Sequence, residues 1–303
     1  VDLPQAPDRS PSSTFPLGVG ALAAVGALGA GVVADRRRRR SMDPLFVLVH
    51  GNGGSAEDFD PLLEQLSVES FSVVSFDWRT ASEAATSTEA SKVASTEVAA
   101  AQLDELVREL SKDHGNIYTL HHSKGGAAGV AMIAALDDGT RSEIDGYRGA
   151  ALLDPAIAAG PLGAVQRFGG ISTHLADNGG FDPVACTSDG CRDRREHLGE
   201  ASGVEVIAIR NPDAVFTNFR DQPDGLRVFD LVDDGKPSAL WFWSSPWLFA
   251  RRASDAHGSV LEHWAVADCI SAEVASSGGC VWKADGWRPR IAWGSGNSRN
   301  RAR

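Results

Sequence analysis

The chain has 303 residues, 43% of them hydrophobic and 23% charged, which excludes wholesale disorder and is long enough for one large domain. Forty acidic against 29 basic side chains leave a formal charge of −11, so a nucleic-acid partner, which needs a basic face to displace counterions, is not expected. The basic residues are unevenly spread: five form the run Arg36 to Arg40, and without them the remainder stands at −16.

Residues 1–14, rich in Pro, Ser and Asp, read as a disordered N-terminus. From Phe15 to Ala34 the chain runs twenty residues without a charge, which as a helix matches the roughly 30 Å of a bilayer core. Small residues at four-residue multiples, Gly18, Gly26 and Ala30, suit close helix packing in lipid. Residues 15–40 are therefore expected to be a transmembrane helix with its Arg cluster, making the protein a single-pass, membrane-anchored chain; an Ala/Gly-rich linker or a buried helix is the rival reading. The Arg cluster after the apolar run argues that the following domain is cytoplasmic. The cysteines argue the other way, because Cys186/Cys191 and Cys269/Cys280 divide into two local pairs suited to disulfides in an oxidising space, although four unpaired thiols are also compatible with these spacings. Sidedness stays open between these signals.

Beyond Met42 apolar runs alternate with helical patterns, which predicts an α/β domain, a mostly parallel sheet with helices on both faces. Strands are expected at Leu45–His50 and Phe71–Trp78. A helix over Ser91–His114 should then bury Val93, Val98, Leu103, Leu106, Val107 and Leu110. Further strands are expected at Asn116–His122, Tyr147–Asp154, Val204–Ile209 and Leu226–Val232, with an Ala-rich helix after His122 and a last helix over Gly258–Ser271. The domain is expected to span 43–285, with 156–203 as an aperiodic, Gly-rich insertion able to form a cap, and 286–303 as a basic tail.

The most informative segment is LHHSKGGAAG, where strand, turn and helix meet at Ser123. A serine on such a turn exposes its hydroxyl, and the following N–H groups point toward a developing oxyanion. The turn needs small neighbours two residues either side; Gly125 is one, whereas His121 stands at the other. A second motif, His50-Gly51-Asn52-Gly53-Gly54, follows the first strand. Together, some 70 residues apart, HSKGG and HGNGG resemble the nucleophile elbow and oxyanion loop of the α/β-hydrolase superfamily, and the resemblance covers roughly residues 43–272.

The resemblance implies Ser123 as nucleophile, with an oxyanion hole from the backbone N–H groups of Lys124 and of Asn52 or Gly53. The simpler reading of Ser123 is a helix cap. Family order places an acid and then a histidine after the serine. His257, between a Ser/Asp-rich loop and a helix start, is preferred as the base over His263, which would fall inside the helix. Asp213, in the turn RNPDAV, is preferred as the acid, with Asp154, at the end of the preceding strand, as the alternative; Asp230 and Asp233 are remoter choices.

His121 and His122 lie next to each other on a strand and so point to opposite faces, which disfavours a shared metal; no metal and no cofactor is expected. Seven of the eight tryptophans fall between Trp241 and Trp293, where they either line an acyl pocket and a lipid-facing rim or fill the core. The resemblance implies a lipase- or esterase-like serine hydrolase acting on a small-molecule or lipid ester or thioester. An acyltransferase or amidase using the same triad, and a catalytically silent binding protein of this fold, are the alternatives. Oligomeric state and acyl length are not legible.

Overall fold

The apolar run after Met42 forms β1 (Leu45–Val49), with all five side chains buried, as a strand covered on both faces requires. The computed structural model describes residues 40–156, 198, 203–214, 226–231, 245–280 and 287–288. After β1 come α1 (Asp60–Gln65), β2 (Ser72–Ser75), α2 (Ser87–Val93), α3 (Thr96–Leu110), β3 (Ile117–His122), α4 (Lys124–Asp137) and β4 (Tyr147–Leu153). They are followed by β5 (Glu205–Arg210), β6 (Arg227–Leu231), α5 (Pro246–Gly258), α6 (Trp264–Ala275) and β7 (Trp287–Arg288). The sheet order is β2-β1-β3-β4-β5-β6-β7. Strands β1 to β6 pair in parallel, and β7 is antiparallel to β6.

Period-two alternation divides the core. Leu45, Val47 and Val49 pack with Leu103, Val107, Val130 and Ile133 on one face. Phe46, Leu48 and Leu120 pack with Leu62, Val266 and Ile270 on the other. Because the strands run in parallel, the segments after β1, β3, β4 and β5 emerge at one edge, where such sheets form their sites.

Three expected elements differ. The strand over Phe71–Trp78 is only β2, because the Asp77 side chain accepts the Arg79 N–H at 3.0 Å and starts a tight turn over Trp78–Ala81. The single helix over Ser91–His114 is two helices. Ala94 is extended (ψ 138°) and Ser95 caps α3 through the Val98 N–H; accordingly Val93 and Val98, expected in the core, are exposed, whereas Leu103 and Val107 are fully buried. The last helix begins later, at Trp264, and is preceded by α5, which starts at Pro246 after Ser245.

Cys269 and Cys280 form a disulfide that ties α6 to the chain after it. Among the described tryptophans Trp78 is buried, whereas Trp247 and Trp264 are exposed, so those two do not fill the core. No helix among the described residues is long and apolar enough to cross a membrane. The Phe15–Ala34 run, most of the 156–203 insertion, Cys186, Cys191 and the basic tail beyond Arg288 lie outside the described residues.

Candidate active site

Ser123 joins β3 to α4 at φ 55°, ψ −119°, a conformation that costs a non-glycine residue about 1–3 kcal/mol and persists only where its surroundings impose it. Here they do. The Ser123 N–H donates to Leu153 O, and its carbonyl accepts from Gly126 N and Ala156 N, which fastens the turn to the end of β4. Although Ser123 is the N-cap of α4, its side chain makes no capping hydrogen bond, so the helix start does not consume the hydroxyl.

Close approach explains the glycines. A Cβ on Gly125 would lie 2.1 Å from Val49 O, and one on Gly126 would lie 2.5 Å from Pro155 Cβ. His121 occupies the position where the elbow needs a small residue, and its ring is accommodated by α4: a Cβ on Gly129 would lie 2.6 Å from that ring. His121 Nε2 hydrogen-bonds Thr119 Oγ1 at 2.6 Å, and Thr119 Oγ1 meets Tyr147 Oη at 2.7 Å; burial lowers the His121 pKa to about 4.

His122 points to the opposite face, toward α5. Its ring stacks on that of His257, centroids 4.6 Å apart and planes 30° from parallel. Its Nε2–H donates to His257 O at 3.2 Å. Burial first, and then the neighbouring His257, push the His122 pKa down to about 3, so His122 is neutral at ordinary pH. Thus the residue before Ser123 is in van der Waals contact with the expected base.

His257 lies in the last turn of α5 rather than in a loop. Its Nδ1 hydrogen-bonds Asp154 Oδ2. Asp154 follows β4, is fully buried, has φ 44°, and donates its N–H to Ile209 O at 2.6 Å. The preferred acid, Asp213, is elsewhere: its carboxylate faces Arg252 Nη2 at 3.6 Å and its N–H donates to Asn211 Oδ1. Asn211 Nδ2 in turn donates to Ser259 Oγ at 2.9 Å. The turn after β5 therefore grips α5 on either side of His257, while the carboxylate that meets the imidazole comes from β4. Asp230 pairs with Arg210 inside the sheet, and Asp233 lies outside the described residues. His263 is the N-cap of α6, its Nδ1 accepting the Ala265 N–H.

The loop after β1 lies against the nucleophile, since a Cβ on Gly51 would be 2.6 Å from Ser123 Cβ. Of its two expected oxyanion donors, Gly53 donates its N–H to Ser91 Oγ at 2.8 Å, and its φ of 73° requires glycine. Asn52 is exposed, and its N–H has no hydrogen-bond partner among the described residues. Lys124, the first residue of α4, has a buried side chain whose Nζ donates to Ser91 O and Ala94 O, both at 2.8 Å, and stands 5.5 Å from the centre of the Trp78 ring. Burial lowers its pKa to about 8.

Sequence reasoning gave Ser91 only as the first residue of an expected helix and did not anticipate the role of the Lys124 side chain; both depend on contacts with segments more than 30 residues away. His50, buried behind the loop, donates Nδ1–H to Gly51 O and accepts at Nε2 from Ser87 Oγ; burial lowers its pKa.

No family model matches the chain, and no curated protein matches it. Solved structures do. The Legionella pneumophila phospholipase PlaB is 17% identical with a TM-score of 0.38, matching 56% of this chain and 39% of that one, so the chain spans well under half of PlaB's length. The lin2722 gene product of Listeria innocua is 12% identical with a TM-score of 0.47, matching 81% and 97%. Esterase B of Lactobacillus rhamnosis is 12% identical with a TM-score of 0.44, matching 78% and 81%. These are likenesses of fold alone. The sheet order, with a strained serine between β3 and α4, is the arrangement of an α/β-hydrolase fold.

Proposed function

We propose that the protein is a serine hydrolase cleaving a carboxylic ester or thioester through an acyl-Ser123 intermediate. The observation that carries the reading is the Asp154–His257 pair, stacked against the residue next to a serine whose hydroxyl is left uncapped. Ser123 Oγ attacks the acyl carbon while His257 Nε2 takes its proton. Asp154 holds Nδ1–H, selects the tautomer and stabilises the imidazolium. The oxyanion accepts from the N–H groups of Lys124 and Asn52, each such donor contributing about 10²- to 10³-fold in kcat. Collapse expels the alcohol or thiol with the proton from His257, and water, activated by the same imidazole, releases the acid.

Asp154 thus takes the part expected of Asp213, and Gly53 shapes the loop rather than donating. The silent-fold alternative drew on His121; the seat that Gly129 provides for its ring supports the catalytic reading instead. An acyltransferase or amidase would use the same groups and differ only in the acceptor or leaving group.

The substrate is a small-molecule or lipid ester, and residues 15–34 hold the chain at a membrane. The charge-free run in the sequence supports that last statement. A fluorophosphonate probe tests the chemistry. Wild type should be labelled and Ser123→Ala should not; folded wild type that resists labelling would remove the mechanism.

A further inference from the structure

Ser91 is fully buried, lies in the last turn of α2, and touches both segments that would bind the oxyanion. Its Oγ accepts the Gly53 N–H from the β1 loop. Its carbonyl accepts the Lys124 ammonium from the nucleophile elbow. Its hydroxyl proton goes to Thr88 O at 2.7 Å, so its one donor is used and the hydroxyl can rotate to no other acceptor without breaking that bond.

Lys124 is unusual as well. The residue is 4% exposed, and among the described residues its ammonium meets two carbonyls and an indole face rather than a carboxylate. Burying an ammonium this way is unfavourable unless its donors are well matched. The match here is the carbonyl end of α2: Ser91 O and Ala94 O are among the groups a helix end leaves unsatisfied, and they carry the negative end of its dipole. The break at Ala94 and the buried lysine therefore satisfy each other.

We infer that Ser91 is a positioning residue, coupling the Asn52–Gly53 loop to the Lys124 turn so that the two oxyanion donors keep their spacing, with the Lys124 side chain as its second arm. The inference rests on the serine-hydrolase reading. A shift of about 1 Å between two such donors is enough to lose much of their effect; the β1–β3 pairing ends at Val49 and His121, and beyond it the Gly53 N–H and the Lys124 ammonium both bond to Ser91.

The test uses the full chain with p-nitrophenyl butyrate as substrate and a trifluoromethyl ketone of matching acyl length, which binds as a tetrahedral oxyanion adduct. Ser91→Ala should lower kcat about 10- to 100-fold, a fraction of what a lost donor costs, with KM within about twofold, and should weaken ketone binding by the same factor. Ser91→Thr, which keeps the acceptor, should restore most of both. Should Ser91→Ala fail to fold, Lys124→Met replaces it, with the same expected split. A folded Ser91→Ala or Lys124→Met with wild-type kcat and ketone affinity overturns the inference, as does a loss appearing in KM alone. Wild type that is not labelled by fluorophosphonate removes the hydrolase reading and this inference with it; labelled wild type with an indifferent Ser91→Ala removes this inference only.

Discussion

At the residue scale, two carboxylates compete for one imidazole, and position along the chain does not distinguish them. Asp154 and Asp213 each follow a strand and a residue or two later enter a turn. Asp154 is buried at φ 44° with its carboxylate on His257 Nδ1; Asp213 is partly exposed and faces Arg252. The two positions predict different losses. Asp154→Asn keeps the shape but presents an amide to Nδ1–H and so favours the wrong tautomer; kcat should fall about 10³- to 10⁴-fold. Asp213→Asn keeps the Asn211 turn and weakens the 3.6 Å pair with Arg252, away from the imidazole, so kcat should stay within about threefold. Steady-state kinetics on the two variants decide the matter; a larger loss in Asp213→Asn would return the acid to β5.

At the scale of elements, the elbow is held by what α4 lacks. Gly125, Gly126 and Gly129 let the helix approach Val49, Pro155 and the His121 ring more closely than any Cβ allows. The last contact makes His121 and Gly129 one unit: the ring fits because the helix is bare beneath it. Gly129→Ala alone should therefore destabilise the fold by about 1–3 kcal/mol through overpacking, despite alanine's better helix propensity. In His121→Ala the same Gly129→Ala should cost little or even stabilise, a coupling of at least about 1 kcal/mol in a double-mutant cycle of denaturant unfolding. Additive effects would mean that the ring does not rest on Gly129. The same logic explains why HSKGG serves where a small residue was expected before the serine: the space is provided from α4 instead of from β3.

At the scale of the whole molecule, the charge imbalance separates into regions. The described domain carries the acidic excess, while the Arg36–Arg40 run adjoins the apolar stretch. An acidic domain gains nothing from anionic lipid, so the proposed membrane attachment depends on residues 15–34. The full chain expressed in cells should remain in the membrane pellet after alkaline carbonate washing, and the chain from Arg38 onward should be released by it. Release of the full chain would remove the anchor without touching the hydrolase chemistry.

Much of the fold was legible because its signals are local. Buried parallel strands are continuous apolar runs, so β1, β3, β4, β5 and β6 lie within a residue or so of their expected bounds. Ser123 and His257 were legible because strand–turn–helix punctuation and chain order mark them. What the sequence by itself determined is therefore the layered sheet, the elbow and the candidate nucleophile and base. Only the tertiary structure decided which strand end meets His257, that Gly129 seats His121, and that Ser91 joins the loop to the elbow. Those are contacts between residues 8 to 103 positions apart, settled by how helices pack across a sheet, and no periodicity within one segment records them.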